Sequence, residues 1–78
     1  MRYFFHLREA GGYLLDDEGL ELAGLEAARA AATQAARSII AGDAILGKLP
    51  LGAVVEVDDE AGHRMFDLAV RETVLIDG

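Results

Sequence analysis

The sequence predicts an α+β fold: hairpin, helix, hairpin, forming a four-stranded antiparallel sheet with one long helix on one face. Three observations carry this expectation. The chain opens on Arg2-Tyr3-Phe4-Phe5-His6-Leu7-Arg8, in which Tyr3, Phe5 and Leu7 share one face of a strand. An Ala-rich stretch free of Gly and Pro runs from Leu25 to Ile40. Two further alternating runs then flank the turn Asp59-Glu60-Ala61-Gly62. At 78 residues the chain has room for one domain, spanning 1–78, and one core.

The first strand is expected from Arg2 to Arg8. Its second face carries Arg2, Phe4, His6 and Arg8, basic with an apolar residue at the middle. Glu9-Ala10-Gly11-Gly12 reads as a tight turn, because Gly-Gly supplies positive φ. Tyr13 to Asp16 forms a short return strand, and Leu20-Glu21-Leu22 is an extended lead-in to the helix.

The helix starts at Leu25, with Gly24 as a modest N-cap and Glu26 well placed against the positive end of the dipole. Leu25, Ala28, Ala32, Ala35 and Ile39 follow the rhythm of a buried stripe, while Arg29, Thr33 and Arg37 lie elsewhere. Gly42 is one possible end. The longer version, through Asp43-Ala44-Ile45-Leu46 to Gly47, is favoured, at a cost of about 1 kcal/mol for an interior Gly. A stripe of small residues lets the helix lie close to a sheet face carrying Tyr3, Phe5 and Leu7.

Leu49 to Gly52 is a linker. Val55 and Val57 then face the helix, and Val54, Glu56 and Asp58 face away. Gly62 suits the left-handed residue of a bulged hairpin. His63 to Val70 returns with Phe66, Leu68 and Val70 inward and Met65, Asp67 and Ala69 outward. Thr73 to Ile76 is a candidate extra strand. With strand order 2-1-3-4 the first strand is central. Arg2 and Arg8 would then neighbour Glu56, Asp58 or Asp67, and Phe4, Val54 and Met65 would form an apolar strip among the charges.

Composition narrows the function. The chain has no Cys, which removes disulfides, thiolate nucleophiles and thiolate metal cages. No apolar run is long enough to span a membrane, and His6, Arg8 and Glu9 break up any signal-peptide core. Cytoplasmic residence is the default expectation. A net charge of −7 disfavours nucleic-acid binding, whose affinity rests on basic patches. Only Arg2, His6 and Arg8 concentrate positive charge.

The chemical motifs point away from catalysis. The acidic turns Asp16-Asp17-Glu18-Gly19 and Asp58-Asp59-Glu60-Ala61-Gly62 lack the length and spacing of a calcium loop and read as solvated turns. His6 and His63 could form a metal or acid–base site only if the fold joined them, and on the preferred order they lie on non-adjacent strands. His6 is expected as a surface residue of the open face. Ser38 sits mid-helix without a nucleophile elbow. Gly11-Gly12 is not followed by the Gly-Lys-Ser/Thr of a phosphate cradle. No enzyme activity, cofactor or small-molecule substrate is indicated.

The opening strand resembles the start of a small bacterial family of unknown function that begins with this same RYFFHLR-type motif. The segment Asp16-Asp17-Glu18-Gly19-Leu20-Glu21-Leu22 is similar to that family's Asp-x-Glu-Gly-x-Glu-Leu. Ala27-Ala28-Arg29, Ala35-Ala36-Arg37 and Asp59-Glu60-Ala61-Gly62 resemble its Ala/Arg helix and second acidic turn. Gly24 stands where members often carry an Asp cap, and Gly42 is a further departure. The resemblance implies no activity.

The reading that follows is a non-catalytic interaction module that self-associates, or binds another protein, through the open sheet face or an edge strand. The candidate interface is Arg2, Phe4, His6, Arg8, Val54 and Met65. The alternative is a nucleic-acid-binding or antitoxin-like regulatory module, an analogy of fold alone.

Overall fold

Strand β1 (Arg2–Glu9) lies at the centre of the sheet in the computed structural model, which describes residues 1–75. It is followed by β2 (Gly12–Leu14), β3 (Leu20–Glu21), the helix α1 (Leu25–Ile45), β4 (Val54–Asp58), β5 (Arg64–Ala69) and a 3-10 turn at Val70–Thr73. The sheet is antiparallel, in the order β2-β1-β4-β5, which is the expected hairpin arrangement. It has five strands rather than four. The lead-in to the helix pairs with β1 as β3, placing Leu20 opposite Tyr3 and Glu21 opposite Arg2. Gly19, at φ 71°, makes the bend that brings Leu20 back to the sheet.

β4 takes one edge of β1. β2 and β3 take opposite ends of the other, covering Leu7–Glu9 and Arg2–Tyr3 and leaving Phe4, Phe5 and His6 between them. The segment 15–19 spans that gap as a strap. The β1–β2 turn is only Ala10-Gly11, and Gly12 already pairs with Glu9. Neither glycine has positive φ, contrary to expectation. Gly62 does, at 82°, as the bulged hairpin requires.

The longer helix is the one that forms. Gly42 lies inside it, and Gly47 ends it at φ 81°. There the Gly47 N–H donates to the Ala44 carbonyl and the Lys48 N–H to the Asp43 carbonyl, the paired bonds of a Schellman cap. The buried stripe is Ala28, Ala32 and Ala36, one position round from the expected Ala35, and Leu25 is exposed. The helix lies mainly over β4, β5 and the 3-10 turn. Its last turn runs past the core, so Ile45 and Leu46 are exposed.

The core joins that Ala stripe to Tyr3, Leu7, Ala53, Val55, Val57 and Val70, with Phe5, Ile39, Phe66 and Leu68 packed at its margin. Val57 and Val70 are fully buried, and each contributes about 1.5–3 kcal/mol. The tail does not add a strand through Thr73-Val74-Leu75: Val70–Thr73 coils, and Arg37 Nε holds it by donating to the Thr73 carbonyl at 2.8 Å. Ile76 falls outside the described residues. Among those residues, no helix is long and apolar enough to cross a membrane.

Candidate functional site

The register fixes what the open face presents. Phe4, His6 and Arg8 of β1 lie opposite Asp58, Glu56 and Val54 of β4, and Glu56 and Val54 in turn face Asp67 and Ala69 of β5. A bulge then resets β5. Phe66 pairs with Val57 and Arg64 with Asp58, so Met65 is the extra residue and Arg64 joins the open face. Simple alternation would have turned Arg64 toward the helix.

This resetting makes Arg64 the hub of a charge network. Its Nε donates to Asp58 Oδ1 at 2.6 Å and its Nη1 to Asp67 Oδ1 at 3.0 Å, and Nη2 lies 3.2 Å from Glu56 Oε1. Glu56 is only 4% exposed, yet it also accepts from Arg8 Nε at 2.7 Å and from the Tyr13 hydroxyl at 2.6 Å. The Arg8 hydrogen bond, followed by that of Tyr13, holds the Glu56 carboxyl below its ordinary pKa despite burial. Arg8 also lies over the Tyr13 ring, 4.9 Å from its centroid. The network therefore ties β2 to β4 across β1.

The strap completes the face. Burial works to raise the Asp16 carboxyl, but the N–H groups of Phe5, Gly19 and Glu18, with His6 nearby, hold it low. Its Oδ2 accepts from Phe5 N–H at 3.0 Å, filling the gap between β2 and β3, while Oδ1 accepts from Glu18 and Gly19. Asp59 does the same at the other acidic turn, accepting from the Ala61 and His63 N–H groups. Both acids thus organise their own turns, as Asp does in such loops.

His6 departs from the expected surface position. It is 8% exposed, with Nδ1 accepting the Asp16 N–H at 3.0 Å and Nε2 lying 3.2 Å from Asp58 Oδ2. The strap buries it, which removes it from any contact surface. The remaining candidates are dispersed. Phe4 is half-buried beside Gly19, and Arg2 donates to the Glu18 carbonyl. Phe4 and Val54 sit at opposite ends of the face, about 13 Å apart along the strands, with His6 and Glu56 between them. The expected apolar strip is interrupted by charge. Arg8 and Met65 stay exposed, Arg8 over Glu56 and Met65 at the bulge.

His63 is exposed at the β4–β5 turn and faces Asp59, so the two histidines serve different carboxylates. Among the described residues, no cluster of His, Asp and Glu has the geometry to hold a metal ion. Ser38 is exposed on the helix.

A second group of exposed apolar residues, besides Ile45, Leu46 and Leu49 at the end of the helix, lies beside the β1–β2 hairpin. Leu14 pairs with core-facing Leu7, so it lies on the helix side of the sheet, yet it is left uncovered. Leu14 and Leu15 are 68% and 66% exposed. Two shallow grooves of about 330 and 350 Å³ adjoin at Leu14, one bordered by Gly12 and Tyr13, the other by Phe5, Leu15 and Asp17. Composition could not reveal this flank, because only the packing decides whether Leu14 is covered.

Comparison with curated proteins and with solved structures finds no match. A family model does match, over residues 2–71, from the first residue of β1 into the 3-10 turn. The chain belongs to the family described as domain of unknown function (DUF6894).

Proposed function

We propose that this is a non-catalytic, cytoplasmic interaction module that associates with a second copy of itself through the β2 edge. The carrying observation is the bare pair Leu14 and Leu15 beside an edge strand whose every residue is exposed. Edge strands offer unpaired backbone groups, and apolar side chains beside them add the burial that makes pairing stable. A small domain gains most from covering such a flank. The open face supports the reading by contrast: its charges are already matched within the chain, so a partner there would have to displace Arg8 or Arg64 from Glu56. The polar groups a catalyst would use are occupied in the same way, with His6, Asp16 and Glu56 all holding structure.

Light scattering after size exclusion tests this. The wild type should show a mass rising toward a dimer up to about 1 mM, a range that detects association of about 4 kcal/mol or stronger. Leu14→Asp and Leu15→Asp should abolish the rise. A strict wild-type monomer throughout would rule out self-association and leave only a heterologous partner. The nucleic-acid reading has less support, since Arg2, Arg8 and Arg64 already have acceptors.

A further inference from the structure

The imidazole of His6 is the one group of the polar face whose two nitrogens bridge separate parts of the chain. Nδ1 accepts the Asp16 N–H at 3.0 Å, so this nitrogen carries no proton. The proton is on Nε2, facing Asp58 Oδ2 at 3.2 Å. One face of the bridge is the strap and the other is β4. The strap has no ladder pairing of its own between β2 and β3. It is held by the Asp16 carboxylate on Phe5, Glu18 and Gly19, by Arg2 on the Glu18 carbonyl, and by His6.

We propose that His6 is a proton-operated latch on this strap. A second proton can enter only at Nδ1, where it meets the Asp16 N–H, and a donor then faces a donor across a hydrogen-bond distance. One side must give way. The charged groups around the ring decide which. Asp58 on β4 faces Nε2, Glu56 lies opposite on the same strand, and Asp16 is on the strap itself. Arg64 on β5 binds Asp58 and Glu56, Arg8 is two residues along β1, and the Tyr13 ring of β2 lies 6.1 Å away. Asp58 attracts the imidazolium and is anchored in a paired strand by Arg64, so the ring stays with the sheet. The strap yields.

Its release frees the Phe5 N–H, an unpaired point of β1 between β2 and β3, and uncovers Phe4 where Gly19 lay against it. An exposed N–H and aromatic ring in the middle of a central strand form a second, conditional edge. The strap begins at Leu15, so the same event displaces part of the flank described above. Protonation of His6 would therefore exchange one contact surface for another. This consequence rests on the β2-edge reading; the latch itself does not.

NMR of the whole chain tests the latch. At about pH 8 the long-range ¹H–¹⁵N pattern of His6 should be that of the Nε2–H tautomer. As pH falls to about 5, the amides of Phe5, Asp16, Glu18 and Gly19 should lose at least about tenfold in exchange protection, after correction for intrinsic rates. That loss should track the His6 ring signals and not those of His63. The amides of Val55 and Val57 should keep their protection. In His6→Asn, whose Oδ1 takes the place of Nδ1 as acceptor, the strap should stay protected without a pH response. An Nδ1–H tautomer, strap amides unchanged while the ring titrates, or a loss that follows the carboxylates instead would each overturn the proposal. The wild-type titration decides it even where the variant fails to fold. Self-association is not read in this experiment, so the two proposals fail separately.

Discussion

Substituting Gly19 by Ala tests the packing of the strap against β1 at a single atom. Gly19 has φ 71°, and a Cβ there would lie 2.8 Å from the Tyr3 carbonyl oxygen and 2.9 Å from both Arg2 Cγ and Phe4 Cε2. A left-handed conformation costs a non-glycine residue about 1–2 kcal/mol. The steric part is added to that. The Arg2 chain can swing aside, but the Tyr3 carbonyl belongs to a strand paired on both sides, by Leu20 and by the neighbouring β4 ladder. Overpacking of this kind costs about 1–3 kcal/mol, so Gly19→Ala should destabilise by about 2–5 kcal/mol. Gly62 supplies the internal control, having φ 82° with nothing within 4 Å of a built Cβ. Gly62→Ala should lose only the conformational part. Urea unfolding measures both, read as a change of midpoint at constant slope. In a domain this size each 1 kcal/mol also moves Tm by about 4–8 °C. Equal losses at Gly19 and Gly62, within about 0.5 kcal/mol, would refute the close approach of strap and strand.

Three further outcomes are expected. Gly42→Ala should raise stability by about 1 kcal/mol, because Gly42 is an exposed interior helix residue with open space at its Cβ; an unchanged or lower Tm contradicts the continuous helix. Ala32→Leu should cost about 1–3 kcal/mol, since Ala32 is fully buried against the sheet, whereas Ala30→Leu on the exposed side should change little. Outside the strap, the carboxyls of Glu21, Glu56 and Asp59 titrate below their ordinary values of 4.5 for Glu and 3.8 for Asp. The unfolded chain therefore takes up protons first as pH falls. The stability these groups supply is complete above pH 4.5 and drains away below it, so urea midpoints should drop steeply from about pH 4.5 toward about pH 3, and a flat profile there would contradict the network.

The strand order was legible because each signal was local. Tyr3, Phe5 and Leu7 alternate, Val55 and Val57 alternate, and Gly62 marks its turn. The helix length was legible for the same reason, since Gly47 supplies the left-handed cap. The phase of the helix was not. Ala occupies so many positions between 27 and 36 that hydrophobicity barely distinguishes Ala35 from Ala36, and packing against Val57 and its neighbours chooses instead. Alternation put His6 on the right face, but its burial comes from residues 15–19 crossing back over β1. One signal for that was present: Asp16 followed three residues later by Gly19 is the pattern of a tight Asx-type turn. Arg64 was hidden by the bulge at Met65, which shifts the face of every residue before it by one step. Its role could be inferred only from the register, which pairs it with Asp58.

Amide shifts of the ¹⁵N-labelled chain, followed from about 20 μM to about 1 mM, locate the contact surface residue by residue. Concentration-dependent shifts are expected at Gly12, Tyr13, Leu14 and Leu15, with Arg8, Val54, Glu56 and Met65 unmoved. Shifts centred on Met65 and Val54 would place the contact on the open face instead, and a spectrum independent of concentration would contradict self-association altogether.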